Sequence, residues 1–175
     1  MSEIPQISPD SIDPKVVEAM VLQGIPHCAA LGVRVIEVKS SHVTLSLPYN
    51  ADLVGDPVSG ILHGGAVTSL IDSVAGMAVF AALFAAQQKL QAIATLDLRI
   101  DYLKPALAQK ELYATAECYK LTRSIAFARG RAYHPETPDD LVANCVGTFM
   151  IGSSDKPPLP KGAKVPGAQV SGSSA

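Results

Sequence analysis

Residues 62–86 read LHGGAVTSLIDSVAGMAVFAALFAA, and this stretch decides the fold. No proline interrupts Gly64–Ala86, and Val67, Leu70, Ile71, Val74, Ala78 and Ala82 recur at helical spacing. The segment is apolar nearly all round, which predicts one long helix over 64–86, buried on most sides. Its length is about the ~20 residues of a membrane span. Thr68, Ser69, Asp72 and Ser73 interrupt it, however, many of its apolar residues are alanine, and the unbroken run Val74–Ala86 is too short. The expectation is the buried helix of a soluble domain, with no membrane partner.

On both sides of the helix the hydrophobic period changes. Before it, Gly32–Val38 and His42–Pro48 alternate apolar with polar residues and read as a hairpin. Tyr49–Leu62 is a loop rich in Gly, Pro and Asp. After it come four strand candidates. In Thr95–Leu103 the residues Leu96, Leu98, Ile100 and Tyr102 alternate with Thr95, Asp97, Arg99 and Asp101. Leu112–Leu121 is mixed. Ser124–His134 sets Ile125, Phe127 and Tyr133 on one face with Arg129 and Arg131 between them, and small alanines opposite. Leu141–Ile151 closes the set, and Pro105 and the PETPDD stretch at 135–140 supply turns. Consecutive strands favour antiparallel pairing over βαβ crossovers. The predicted class is α+β, an antiparallel sheet of about five to six strands wrapped around one helix.

The ends read differently. Residues 1–12 are polar, with Pro5 and Pro9, and are expected to be loosely ordered. Asp13 and Pro14 can start a helix through Lys15–Gln23, stopped by Gly24 and Pro26. Residues 153–175 hold four Pro, three Gly and five Ser, an irregular or disordered tail. One folded domain, 13–152, is therefore expected within the 175 residues.

Composition excludes several classes. Lys and Arg number 14 against 16 Asp and Glu, a net charge of −2, which argues against nucleic acid as a partner. Apolar residues make up 48% and charged residues 17%, far from a disordered chain. So little charge on a small chain points to a subunit interface. Cys28, Cys118 and Cys145 are too few and too scattered for a disulfide framework or zinc ribbon. That suits a reducing, cytoplasmic setting, and no signal peptide is visible. Histidines 27, 42, 63 and 134 show no metal-ligand spacing, so no metal is expected.

The chemistry lies at the start of the long helix. His63, Gly64 and Gly65 sit where loop becomes helix, and the first amides of a helix have no intrahelical partner. With the helix dipole they favour negative charge, and they can hold a carbonyl oxygen that becomes an oxyanion. Asp72 stands in the helix among Leu70, Ile71, Val74 and Ala75, where a carboxylate is a poor helix former and costly to bury unpaired. Gly76, one turn on, weakens the helix by ~1 kcal/mol against Ala and clears space beside Asp72 on the same face. Gly64 and Asp72 are eight residues apart, about 12 Å along one helix. A general base and an oxyanion donor must both approach one reacting group within ~3 Å. If both act, Gly64 of one subunit meets Asp72 of another, as two antiparallel helices across a two-fold axis allow.

The pattern His-Gly-Gly-Ala, with Asp eight residues after the first Gly, resembles the PaaI-like acyl-CoA thioesterases of the hotdog fold. The likeness covers about 28–152 and includes Lys104-Pro105-Ala106, Ala143 and Gly147-Thr148-Phe149. It implies a hotdog sheet around helix 64–86, a homodimer or homotetramer with sites at the interface, and hydrolysis of small or medium acyl-CoA without metal or cofactor. Coenzyme A enters only as part of the substrate. By position, Asp72 would be base or nucleophile, the Gly64 amide would polarise the thioester carbonyl, and Thr95 would help place the attacking water. The usual Asn or Gln six residues before the His is Pro57 here, with Asp56 beside it. Either Asp56 takes over that role or the site works differently.

Blander readings stand alongside. Asp72 can be a satisfied structural acid, Thr95 an ordinary strand residue, and His63 a loop residue fixing the start of the helix through its ring nitrogens, which we favour over a general base. The cysteines are most simply small core residues. Lys104, Lys120, Arg123, Arg129 and Arg131 can hold the phosphates of coenzyme A or be solvated strand faces. Two other functions fit the fold: a hotdog enoyl-CoA hydratase or dehydratase, and a non-catalytic acyl-CoA binder.

Overall fold

The computed structural model describes residues 24–87 and 91–152. The expected helix over Lys15–Gln23, the segment 1–12 and the tail 153–175 lie outside the described residues. The chain runs α1 (Pro26–Leu31), β1 (Arg34–Val38), β2 (His42–Leu47), a 3-10 turn (Ala51–Leu53), α2 (Gly64–Gln87), β3 (Ile93–Tyr102), β4 (Leu112–Leu121), β5 (Ile125–Tyr133) and β6 (Leu141–Ile151). Six antiparallel strands form one sheet in the order β1-β2-β4-β5-β6-β3. This is the hotdog arrangement, with the sheet curled around α2.

The sheet can wrap closely because both surfaces are small. Ala114, Ala116, Ala126, Ala128, Ala132, Ala143 and Cys145 line its inner side, and Ala75, Ala78 and Ala82 face it from α2, all buried. Gly130 belongs to the same surface: an added Cβ would stand 2.8 Å from the Thr115 carbonyl oxygen and 3.1 Å from Cys145 Sγ. Leu45, Leu47, Leu70, Ile71, Leu83, Leu112 and Phe149 fill the remaining volume. α2 is long and apolar enough to cross a membrane by composition alone. Here the sheet buries eleven of its residues instead.

Gly24 is helical and Ile25 is not, so a helix breaks just before Pro26, which opens α1, where the missing N–H costs nothing and φ is preset. Two expectations need correction. Gly32 is not a strand residue but the left-handed cap of α1, φ 73°, so β1 starts at Arg34. And α2 is not buried on most sides. Thr68, Ser69, Asp72, Ser73, Gly76 and Met77 are only half-buried, and Phe80 is 39% exposed, so one face is open in the single chain.

A buried histidine fixes the loop after β3. His134 is 1% exposed; its Nε2 accepts the Leu107 N–H at 3.0 Å, so Nδ1 carries the hydrogen it donates to the Glu111 carbonyl at 2.8 Å. Truncation strands both backbone groups and opens a void. His134→Ala is expected to lower the unfolding free energy by about 2–4 kcal/mol, read as a lower urea midpoint at unchanged slope.

Candidate active site

Gly55 and His63 are drawn together before α2 begins: the Gly55 N–H donates to the Ile61 carbonyl, and the His63 N–H to the Leu53 carbonyl at 2.8 Å. His63 then caps the helix. Its Nδ1 accepts the Gly65 N–H at 2.8 Å, and its carbonyl accepts the Ala66 and Val67 N–H groups at 3.0 and 3.3 Å. The Gly64 carbonyl is held from the other side. Tyr102 Oη donates to it at 2.7 Å, Thr68 Oγ1 reaches it at 3.0 Å, and the two hydroxyls lie 2.7 Å apart. The Gly64 N–H of this turn has no partner among the described residues. It sits at the positive end of a 24-residue helix, free to meet an oxyanion.

Two turns on, Asp72 is half-buried rather than sealed in the core, and Thr95 Oγ1 donates to its Oδ1 at 2.9 Å. Strict alternation would place Thr95 with Asp97, Arg99 and Asp101 on the side away from α2. A bulge between Thr95 and Asp97 prevents this: Thr95 pairs with the inward Phe149 while Asp97 pairs with the outward Thr148. The extra residue turns Thr95, with Leu98, Ile100 and Tyr102, towards the helix. One Asp72 oxygen is thereby anchored, and the other has no partner among the described residues. Cys145 also feels the charge of Asp72. Its thiol is pushed up to about 11, chiefly by burial, with that charge adding to the effect, so it stays protonated and is no nucleophile.

The other predicted residues are not all gathered here. Asp56 is occupied by its own turn, accepting the Val58 and Ser59 N–H groups and the Ser59 hydroxyl. The Ser59 hydroxyl, with the backbone bonds, holds its carboxyl below the usual range. Pro57 is exposed beside it. Arg129 and Arg131 lie on the outer side of the sheet, opposite α2. Arg129 makes two bonds to Glu117 Oε2, at 3.0 and 2.9 Å, and Arg131 stacks 5.7 Å from the Tyr133 ring centre. Arg123 is exposed in the β4–β5 turn. Lys104 alone among these cations reaches the neighbourhood of Gly64. It pairs with Asp140 and lines a cavity of about 360 Å³ with Gly64, Tyr102 and Leu103. A second hollow of about 260 Å³ lies on the other flank of the turn, between His27, Asp52, His63 and Ser69. Among the described residues no cluster of three His, Cys, Asp or Glu is placed to hold a metal ion.

Tyr102 and Thr68 are site residues that sequence reasoning missed. A tyrosine four residues before Ala106 and a threonine one turn into the helix each look ordinary, and only their convergence on the Gly64 carbonyl marks them.

Comparison with known proteins bears on the family and the fold. The profile of a family described as the thioesterase superfamily matches residues 59–139. The medium/long-chain acyl-CoA thioesterase YigI of Escherichia coli K12 is 26% identical over 147 residues, spanning 79% of this chain and 93% of YigI. The VNG_1336C protein of Halobacterium salinarum is 33% identical over 130 residues, 71% of this chain and 83% of that protein. The structure of PaaI from the E. coli phenylacetic acid operon superposes with a TM-score of 0.63 over 78% of this chain and 92% of PaaI. At 20% identity, that likeness speaks for the fold alone.

Proposed function

The chain belongs to the thioesterase superfamily, and from that premise we propose that it hydrolyses acyl-coenzyme A thioesters at a site shared between two copies. The carrying observation is the Asp72 carboxylate, held at one oxygen by Thr95 and open at the other. Its free oxygen takes a proton from water as that water attacks the thioester carbon, or attacks the carbon itself. The carbonyl oxygen becomes an oxyanion on the Gly64 N–H of the neighbouring copy. In the first route collapse expels the coenzyme A thiolate, which takes up the proton Asp72 removed from water, beside the free acid; in the second it leaves the acyl group on Asp72 as an anhydride, which water then hydrolyses to the free acid. Thr95 spends its hydrogen on Asp72, so its lone pairs are available to the attacking water.

The shared site follows from distance. Eight residues of α2 separate Gly64 from Asp72, about 12 Å, so neither copy can bring both groups to one carbonyl. The open face of α2 and the edge strand β3 carry Thr68, Asp72, Gly76 and Thr95 on the side where a second copy would lie. The working assembly is a cytoplasmic homodimer or a homotetramer built from it.

Pro57 at the position of the usual amide favours a second reading, a non-catalytic binder of acyl-CoA. An acyl-CoA panel separates the two: phenylacetyl, benzoyl, and straight chains from short to medium. Free thiol is expected from medium straight chains. Tight binding without thiol release would leave the binder, and hydration of an enoyl-CoA would leave the hydratase.

A further inference from the structure

Glycine within a helix is explained by the backbone, by packing, or by something outside the chain. Gly76 has the first two explanations removed. It lies outside the left-handed region. An added Cβ would meet only Ile93 Cδ1 at 3.7 Å and Phe149 Cε1 at 3.8 Å, ordinary contacts. Gly147, by contrast, is required by packing: its Cβ would stand 3.1 Å from Leu98 Cδ1 and 3.2 Å from Phe149 Cε2. Alanine would fit at position 76 and would favour the helix, so nothing among the described residues calls for glycine there.

The surroundings say what the space is for. Positions 68, 72, 76 and 80 form one stripe along α2, with Asp72, Gly76 and Phe80 within about 80° of each other. From Asp72 towards the helix N-terminus this face carries the Thr68 and Tyr102 hydroxyls. Towards the C-terminus it carries the bare Gly76 over Ile93 and Phe149, then Phe80, 39% exposed. A thioester at Asp72 has two arms. The polar coenzyme A arm suits the hydroxyl side, and the acyl arm suits the apolar side.

Resting on the thioesterase reading of this site, we infer that Gly76 admits the acyl group and governs its length. The acyl group is an unsubstituted apolar chain running from Asp72 across Gly76 towards Phe80. Those two residues are about 12 Å apart along the helix, which takes about nine or ten atoms of extended chain. Ile93, Phe149 and Phe80 offer no partner to a charged or hydroxylated acyl group, which would lose its hydration there.

The test uses Gly76→Leu and Gly76→Ala in the full chain, both of which raise helix propensity. Two quantities are read: kcat/KM for butanoyl- and decanoyl-CoA, and Kd for the non-hydrolysable butyl- and decyl-CoA thioethers. Gly76→Leu is expected to weaken the decyl ligand at least about tenfold more than the butyl ligand, with decanoyl-CoA following through KM. Gly76→Ala should shift in the same direction by less. An equal loss at both lengths overturns the inference. So does a changed oligomeric state by size-exclusion with the length preference intact, because Gly76 would then serve subunit packing. Length-selective loss of thioether binding without thiol release from any ester would uphold Gly76 and overturn the hydrolytic reading alone.

Discussion

Asp72→Asn is expected to lower kcat for acyl-CoA hydrolysis on the order of 10³-fold while the protein stays folded. The reasoning is local. Asparagine has the same shape, and its Oδ1 can still accept the Thr95 hydroxyl, now 2.9 Å from the Asp72 oxygen. Asp72 is half-buried and, among the described residues, faces no cation across a salt bridge, so the substitution strands no opposite charge there. What is lost is the basic, nucleophilic oxygen. Cys145, buried and protonated, does not replace that oxygen. Thiol release with saturating medium-chain acyl-CoA, alongside a thermal melt, is the measurement. Undiminished kcat in a folded variant would remove Asp72 from the reaction.

Gly64→Pro carries the second large effect, and it separates one copy from two. Gly64 is the first residue of α2, a position where proline is favoured. The chief group removed is therefore the unpartnered N–H. Losing one oxyanion donor is expected to lower kcat by about 10²–10³-fold. Each variant alone is nearly inactive, yet a mixed dimer of Asp72→Asn and Gly64→Pro chains contains one site built from an intact Gly64 and an intact Asp72. Its other site carries both defects. Random pairing of equal amounts makes half the dimers mixed, so about one quarter of the wild-type activity should return on co-refolding. If each site lay within one chain, mixing would restore nothing. A return of activity therefore also gives the low charge of the chain its physical meaning, as surface set against a second copy.

Much of this site could be read from residue order, because helix and turn chemistry are local. The helical spacing of Val67, Leu70, Ile71, Val74, Ala78 and Ala82 held, and all six are buried. The placing of His63, Gly64 and Gly65 at a helix start needs only three neighbours in sequence. If Gly64 and Asp72 both act, the need for two copies follows from the helix rise alone. Where local rules misled, the cause was equally specific. Gly32 was read as a strand residue although glycine also suits the left-handed cap of a helix, and alanine-rich apolarity suggested burial on most sides of α2 although one sheet covers one side.

The basic residues show the opposite limit. Arg129 and Arg131 look available to a phosphate in the sequence, yet strand alternation carries them to the outer side of the sheet, against Glu117 and Tyr133. Asp56 looks available to the site, yet it satisfies its own turn. Neither partner was visible until the turn and the β4–β5 pairing were formed.

The sequence by itself determined a long helix with a glycine turn at its head, a carboxylate eight residues in, and strands enough to wrap it. Each rests on periods and caps that span a few residues. Only the tertiary structure decided which side Thr95 faces. Alternation alone sends it away from the helix, and the bulge against β6 brings it to Asp72, because register is set by the partner strand rather than by the strand's own residues. The same holds for Tyr102 on the Gly64 carbonyl, 38 residues away along the chain. A contact between distant residues has no local signature, so the groups that orient Gly64 and Asp72 emerge only once the sheet has closed on the helix.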